Sequence, residues 1–153
     1  MSTAAMIDMV ARRTSASRRI RASANEIFDL LADPSSHSLF DGSEMVRNPV
    51  GDAPTRLFLG ATFQMRMSLK ALPYRIGNEV VEFEENRLIA WQHVGRHRWR
   101  YELEPMGDET LVTETFDWST ALIPKAIEVV GYPKAHLTNI EFTLERLANL
   151  VEQ

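Results

Sequence analysis

The chain has 153 residues, of which 44% are hydrophobic and 25% charged, and its formal net charge is −4. This length and this proportion of hydrophobic to charged residues are typical of one globular domain with a hydrophobic core. The net negative charge disfavours a nucleic-acid-binding protein, which needs a basic face. The sequence contains no cysteine, which excludes disulfides, thiolate nucleophiles and cysteine-based metal sites.

The beginning of the chain is predicted to stand apart from the domain. Residues 1–13 are interpreted as a loosely held N-terminal arm, and residues 14–153 as a single domain. The arm lacks the basic start and long apolar stretch of a secretory signal. No apolar run approaches the roughly 20 residues that cross a bilayer. We therefore expect a cytoplasmic protein without an integral membrane segment.

The first predicted strand covers residues 14–22 and carries a cluster of basic side chains. The cluster comprises Arg12, Arg13, Arg18, Arg19 and Arg21. We interpret the segment as a solvated edge strand, because arginine discourages pairing with a further strand. Contact with an anionic lipid or a partner is the alternative role of this cluster.

Two short helices are predicted to follow this strand. Ser23 and Glu26 have the spacing of a capping box, which satisfies amide groups left free at the start of a helix. Asp33 and Pro34 end that helix and begin the second one, with Asp33 as its cap. A turn at residues 41–42 ends the second helix.

The middle of the chain is predicted to consist of six strands joined by short turns, which implies an antiparallel meander. The predicted strands are residues 45–50, 61–72, 76–83, 88–93, 97–103 and 111–118. The predicted turns are residues 72–74, 84–86, the region around Gly95, and 106–108. Residues 61–72 alternate most clearly between apolar and polar side chains, which indicates one buried and one solvated face.

The last predicted element is an amphipathic helix over residues 134–152. Its apolar stripe consists of Leu137, Ile140, Leu144, Leu147 and Val151. The apolar segment 121–132 before it has three interpretations: a lid over a cavity mouth with a hinge at residues 131–133, a contact in a homodimer, or ordinary loop packing.

The register of the last hairpin predicts which side chains share the buried face. A turn at residues 106–109 places Tyr101 opposite Glu114 and Trp99 opposite Phe116, all on that face. A shift by one residue would bury arginines instead.

The hairpin around Gly95 leaves two registers open. A three-residue loop with Gly95 at positive φ pairs Trp91 with Trp99 and His93 with His97, and we prefer it because it adds Trp91 to the aromatic face. A two-residue turn would instead direct His93 outward.

The buried face is predicted to hold a small apolar molecule. An apolar gap with a few convergent polar groups is typical of a small-molecule site, and methionine adapts to irregular guests. The predicted ligand-binding residues are Phe63, Met65, Met67, Trp91, Trp99, Tyr101, Glu114, Phe116, Ile140 and Leu144. Tyr101, Glu114 and His97 are also candidates for general acid–base catalysis, against the alternative that Tyr101 and Glu114 only form an internal hydrogen bond.

Metal and cofactor sites are not predicted. His93 and His97 lack a clear third ligand, although Glu114 is a possible one. The sequence has no phosphate-cradling loop and no dinucleotide fingerprint. His37 and His136 fall on helices, and we expect both at the helix surface.

The order of elements resembles the helix-grip arrangement of the START-like, or SRPBCC, superfamily, and is most similar to its polyketide cyclase/dehydrase-like branch. The resemblance extends from Ser15 onward and rests on the stretches SANEIFDLLADPSSHSLFDGS, NRLIAWQHVGRHRWRYELEP and TLVTETFDWS. It implies an α+β fold with a curved antiparallel seven-stranded sheet, two short helices after the first strand, and a long C-terminal helix over an internal cavity.

The resemblance implies a cavity for hydrophobic molecules and no particular reaction. The first hypothesis is binding or carriage of a lipid, polyketide or similar molecule. The second is a cyclase, dehydratase or isomerase that acts on a carbonyl compound by general acid–base catalysis. The third is an interaction module similar to the superfamily's co-chaperones, which needs a collapsed interior and a large exposed apolar patch.

Overall fold

Alternating apolar and polar residues, separated by tight turns, produce an antiparallel sheet through most of the chain. The computed structural model describes residues 4–152 and contains eight strands in one sheet. They are β1 (Ala4–Asp8), β2 (Arg13–Ile20), β3 (Val46–Pro49), β4 (Thr62–Leu69), β5 (Leu72–Glu84), β6 (Leu88–Gln92), β7 (Arg98–Met106) and β8 (Glu109–Asp117). Their order across the sheet is β1-β2-β8-β7-β6-β5-β4-β3.

The helices lie on the concave face of this curved sheet, and all but the third α-helix contain buried apolar residues. They are α1 (Ala24–Leu31), a short 3₁₀ helix (Pro34–Ser36), α2 (His37–Phe40), α3 (Pro124–Val129) and α4 (Tyr132–Val151). Ile140, Leu144 and Leu147 of α4 are fully buried, as the apolar stripe predicts. This arrangement confirms the helix-grip α+β fold. Within residues 4–152, no helix is long and apolar enough to cross a membrane.

The predicted strand count was wrong by one. Part of the expected N-terminal arm forms β1, which pairs with β2 from Ala4 opposite Ser17 to Asp8 opposite Arg13. The segment that was expected to be an edge strand therefore lies inside the sheet, between β1 and β8. Its arginines did not prevent pairing because the backbone groups of β2 bond to both neighbouring strands while the side chains project from the faces of the sheet, where Arg13 forms an ion pair with Asp117.

The turn between β4 and β5 also differs from the prediction. The turn residues are Lys70 and Ala71, both at positive φ, whereas residues 72–74 belong to β5. A two-residue turn of this kind matches the twist of the flanking strands. Pro73 suggested that a turn interrupts the strands at this point. It lies instead near the beginning of β5, where a missing hydrogen bond between strands is tolerated.

The loop between β6 and β7 follows the preferred register but not the predicted backbone. Trp91 pairs with Trp99, as expected, yet the residue at positive φ is Arg96 rather than Gly95. A Cβ atom at position 95 would lie 3.2 Å from Nδ1 of His97. Glycine at position 95 thus allows the His97 ring to lie close to the backbone of the loop.

The connection between α2 and β3 is held tightly against α4. The amide of Gly42 donates to Thr143 Oγ1 at 2.9 Å, and Arg146 Nη1 donates to the carbonyl of Asp41 at 2.6 Å. A Cβ atom at position 42 would lie only 2.2 Å from the carbonyl oxygen of Asn139. We call this contact the α2–α4 clamp, and only glycine fits into it without moving backbone.

Candidate functional site

Strands β7 and β8 place the candidate polar pair on the buried face of the sheet. Tyr101 lies opposite Glu114, and Trp99 lies opposite Phe116. Tyr101 and Glu114 are 4% and 3% exposed. The predicted register and the predicted buried face are therefore confirmed.

Aromatic rings fill the space around this pair. Trp91 occupies the centre of the cluster, with its ring centroid 5.6 Å from that of Tyr101 and 6.2 Å from that of Phe63. Phe40 of α2 meets Tyr101 edge-on at 6.3 Å. Rings at these distances are in ordinary packing contact, so the residues predicted to surround a ligand here contact one another.

The remaining predicted ligand-binding residues lie on the concave face of the sheet or on helix α4. Phe63, Met65, Phe116, Ile140 and Leu144 are buried, whereas Met67 and Trp99 are partly exposed and pack against the core. The structure thus places these residues in one core cluster or packed against it. Their role in binding remains a prediction.

His37 was expected at the helix surface, and the structure corrects that expectation. Its ring is buried and stacks on Trp91 with centroids 4.7 Å apart. Nε2 lies 2.8 Å from the carbonyl of Leu31, and because a carbonyl only accepts, Nε2 carries the proton. Burial lowers the pKa of His37 to about 4. Its spacing of three residues from Phe40 on one helix was the available signal that both face inward.

Glu114 is a buried carboxyl group with an unsatisfied oxygen. Burial raises the pKa of Glu114 well above its usual range, which the polar contact with the Tyr101 hydroxyl opposes and the negative charge of Asp41 reinforces. Burial also raises the pKa of Tyr101. Within the described part of the chain, Glu114 Oε1 has no hydrogen-bond partner. Both shifts favour the uncharged form of each group, a carboxylic acid beside a phenol.

Three further histidines form a second cluster beside Trp99 and Phe116. His97 lies 5.0 Å from His93 and 5.5 Å from Phe116, between ring centroids. His136 was expected at the helix surface but is half-buried, with its ring 4.5 Å from that of Phe116. Burial lowers the pKa of His93 to about 3 and that of His136 to about 4, so both rings are neutral at pH 7.

The sequence left His93 and His97 as weak candidates for metal ligands. Among the side chains of residues 4–152, no group of three or more His, Cys, Asp or Glu residues is arranged to hold one. Glu114, the third ligand considered for His93 and His97, contacts Tyr101 instead.

A groove of about 580 Å³ opens where β4, β5 and β6 meet the loop after β3. Its wall contains one predicted ligand-binding residue, Phe63, together with mostly polar neighbours. The lining residues are Val50, Asp52, Ala53, Thr62, Phe63, Gln64, Gly77, Asn78, Glu79, Gln92, His93, Val94 and Arg96. Phe63 connects the groove to the buried cluster, because its ring also contacts Trp91 and His37.

Segment 121–132, interpreted as a possible lid, contains the short helix α3 and several exposed apolar side chains. These side chains are Leu122, Ile123, Val129, Val130 and Tyr132. The segment is tied to the β6–β7 loop, since the amide of Leu122 donates to the carbonyl of Gly95 at 2.9 Å. A lid and a homodimer contact both remain predictions.

Comparisons with known proteins agree with this architecture. The chain is 38% identical over 154 residues to the uncharacterized protein Rv0088 of Mycobacterium tuberculosis, covering 97% of this chain and 68% of that protein. A crystal structure of a Rhodobacter sphaeroides protein matches with a TM-score of 0.74 at 14% identity, covering 97% of both chains.

A solution structure of the Polyketide_cyc-like protein Cgl2372 from Corynebacterium glutamicum matches with a TM-score of 0.62 at 23% identity, covering 90% of both chains. At these identities the two solved structures establish the fold alone. The sequence itself matches one family over residues 11–152, nearly its full length. The chain therefore belongs to the family described as polyketide cyclase / dehydrase and lipid transport.

Proposed function

We propose that this protein binds a small, largely apolar molecule on the concave face of its sheet, between β4–β8 and helix α4. The proposal rests on the family and on one observation, the buried Glu114 carboxyl with an oxygen that has no partner among residues 4–152. A buried polar atom without a hydrogen bond costs about 1–3 kcal/mol. A residue needed only for packing at this position would be apolar.

The surroundings of Glu114 support a ligand with one polar group on an apolar body. Tyr101 and protonated Glu114 can donate or accept hydrogen bonds, and rings such as Trp91 and Phe40 supply the apolar contacts. The ligand enters by displacing flexible side chains, and Met65 and Met67 adapt readily to a new neighbour. The polar group of the ligand satisfies the free oxygen of Glu114.

Binding is tested with the neutral dye Nile red, which fluoresces in apolar surroundings, and with native mass spectrometry after gentle purification. We expect saturable Nile red binding, with energy transfer from tryptophan, and a co-purified small molecule. Glu114→Leu removes the polar anchor and is expected to weaken binding about tenfold, which corresponds to 1.4 kcal/mol. Glu102→Leu is the matched control, because Glu102 is an exposed residue on the opposite face of β7.

Absence of saturable dye binding, together with absence of any co-purified molecule, would refute the proposal. Equal weakening by both glutamate variants would also contradict it, because the effect would then not depend on the buried face.

A second candidate function is general acid catalysis, which the environment of Glu114 specifically favours. Burial raises the pKa of this carboxyl and so favours its protonated form beside Tyr101, and the protonated form is the one that can donate a proton to a carbonyl oxygen. A cyclase, dehydratase or isomerase acting on a carbonyl compound fits this arrangement. Once a substrate is found, full turnover by Glu114→Gln would eliminate this candidate.

A further inference from the structure

The groove beside β4, β5 and β6 contains polar atoms that the fold leaves without partners. Of its lining residues, Asn78 and His93 each have one buried side-chain atom, Oδ1 and Nδ1 respectively, without a hydrogen-bond partner in the described residues. Each such atom costs roughly 1–3 kcal/mol when left unpaired. Two of them in the wall of one groove point to a missing hydrogen-bonding group.

The orientation of the Asn78 amide is fixed by the backbone around it. Its Nδ2 lies 3.4 Å from the carbonyl oxygens of both Phe63 and Ile76, and an amide nitrogen is the only end of the side chain that can donate to them. Oδ1 is therefore the free end, and it can only accept. The missing group must carry an O–H or N–H donor.

The charges around the groove disfavour an ionic guest. Asp52 and Glu79 are acidic, and Arg96 is the one basic residue among those that line it. An anion would face two carboxylates, while a cation would face Arg96 and the donors of neighbouring amides. His93, which burial keeps neutral at pH 7, adds no charge. A neutral polar group is the best complement to this mixture.

We propose that the groove binds the neutral, hydrogen-bond-donating head of an amphipathic ligand, a hydroxyl or primary amide, which donates to Oδ1 of Asn78 and pairs with Nδ1 of His93. The apolar body of the ligand then runs past Phe63 toward Trp91 and the buried cluster. This inference rests on the proposed function and adds to it the class of head group and the position of that head.

Four probes with the same ten-carbon chain test the head group: 1-decanol, decanamide, decanoate and decyltrimethylammonium. Their dissociation constants are measured on the full chain by displacement of Nile red. We expect the alcohol and the amide to bind at least tenfold more tightly than either ion. Asn78→Leu is expected to abolish this preference, while the variant protein still binds the ten-carbon probes through their apolar part.

Asn48→Leu is the matched control, since it makes the same substitution at an exposed asparagine of β3 that is not among the residues lining the groove. It should keep the wild-type ranking. If Asn78→Leu does not fold, ¹⁵N chemical shifts of the His93 imidazole in the wild type provide a second readout, and they should change with 1-decanol and not with decane. Equal binding of all four probes would overturn the head-group inference alone, whereas binding of none would overturn it together with the proposed function.

Discussion

The two faces of the central sheet differ in whether their buried ionisable side chains have partners of opposite charge. On the convex face, Arg100 donates to Glu82 at 2.7 Å and to Asp117 at 3.2 Å, so each charge has an opposite partner. On the concave face, Glu114 has no cationic partner among residues 4–152 and keeps one oxygen unpaired. Paired charges hold strands together, whereas an unpaired polar group in a packed interior is a candidate for function.

The pKa values follow the same division. Hydrogen bonds from Arg100 lower the pKa of Glu82 below its usual range. Burial alone would raise the pKa of Asp117, but hydrogen bonds from Ser119 and Arg100 lower it overall. The pKa of Glu114 moves upward because burial is not offset by a cation.

The largest expected effect comes from breaking the convex network. Arg100→Met leaves Glu82 and the buried Asp117 without their shared partner, and we expect a loss of about 3 kcal/mol in the free energy of unfolding. Urea denaturation at pH 7 measures this loss. Arg98→Met, which removes only one hydrogen bond to Glu82, should cost clearly less. Equal losses in the two variants would show that Arg100 does not hold the network together.

A smaller effect of opposite sign is expected on the concave face. Glu114→Gln replaces a buried ionisable group by a neutral one of the same shape, and should stabilise the protein by about 1 kcal/mol at pH 8. The folded pKa of Glu114 is raised, so the folded state retains a proton that the unfolded chain releases above pH 4.5. The wild type therefore loses stability as the pH rises from 4.5 toward the folded pKa.

Thermal unfolding of wild type and Glu114→Gln at pH 5 and pH 8 measures this difference. The gap between the two melting temperatures should widen at the higher pH. A gap that does not change with pH would mean that Glu114 titrates normally in the folded protein, and the contrast between the two faces would then be wrong.

The smallest effect is expected from an ion pair in solvent. Arg56 contacts Asp29 at 2.8 Å and also Glu85, and all three side chains are largely exposed. Arg56→Met should therefore lower the free energy of unfolding by about 0.5 kcal/mol, and less at high salt. Urea denaturation in 0.05 and 1 M NaCl checks both points. A loss as large as that of Arg100→Met would show that burial does not decide the value of these pairs.

The alternation of apolar and polar residues predicted the central strands. It also predicted their buried face, because a register shifted by one residue would have buried arginines. The pairing of Tyr101 with Glu114 follows from this constraint and from a short turn, both of which are local. Strand β1 escaped prediction because its residues do not alternate and are mostly exposed. Pairing with β2 and contact with α4 determine its place, and neither is visible in a local pattern.

The groove was not predictable from periodicity, and the burial of His37 had one weak signal, its spacing of three residues from Phe40. The groove depends on the loop after β3, whose irregular path is anchored by a hydrogen bond from the amide of Leu57 to the carbonyl of Ala32. No sequence period encodes such a contact. His37 appeared to lie on a helix surface because α2 has only four residues, too few for an amphipathic pattern to emerge.

The α2–α4 clamp bears on how the interior of the domain can open. Two hydrogen bonds and a glycine that tolerates no side chain join the α2 end to the long helix. Prising these helices apart would break both bonds and expose fully buried residues such as Ile140 and Leu144. The clamp therefore makes separation of α2 from α4 a costly way to open the interior of the domain.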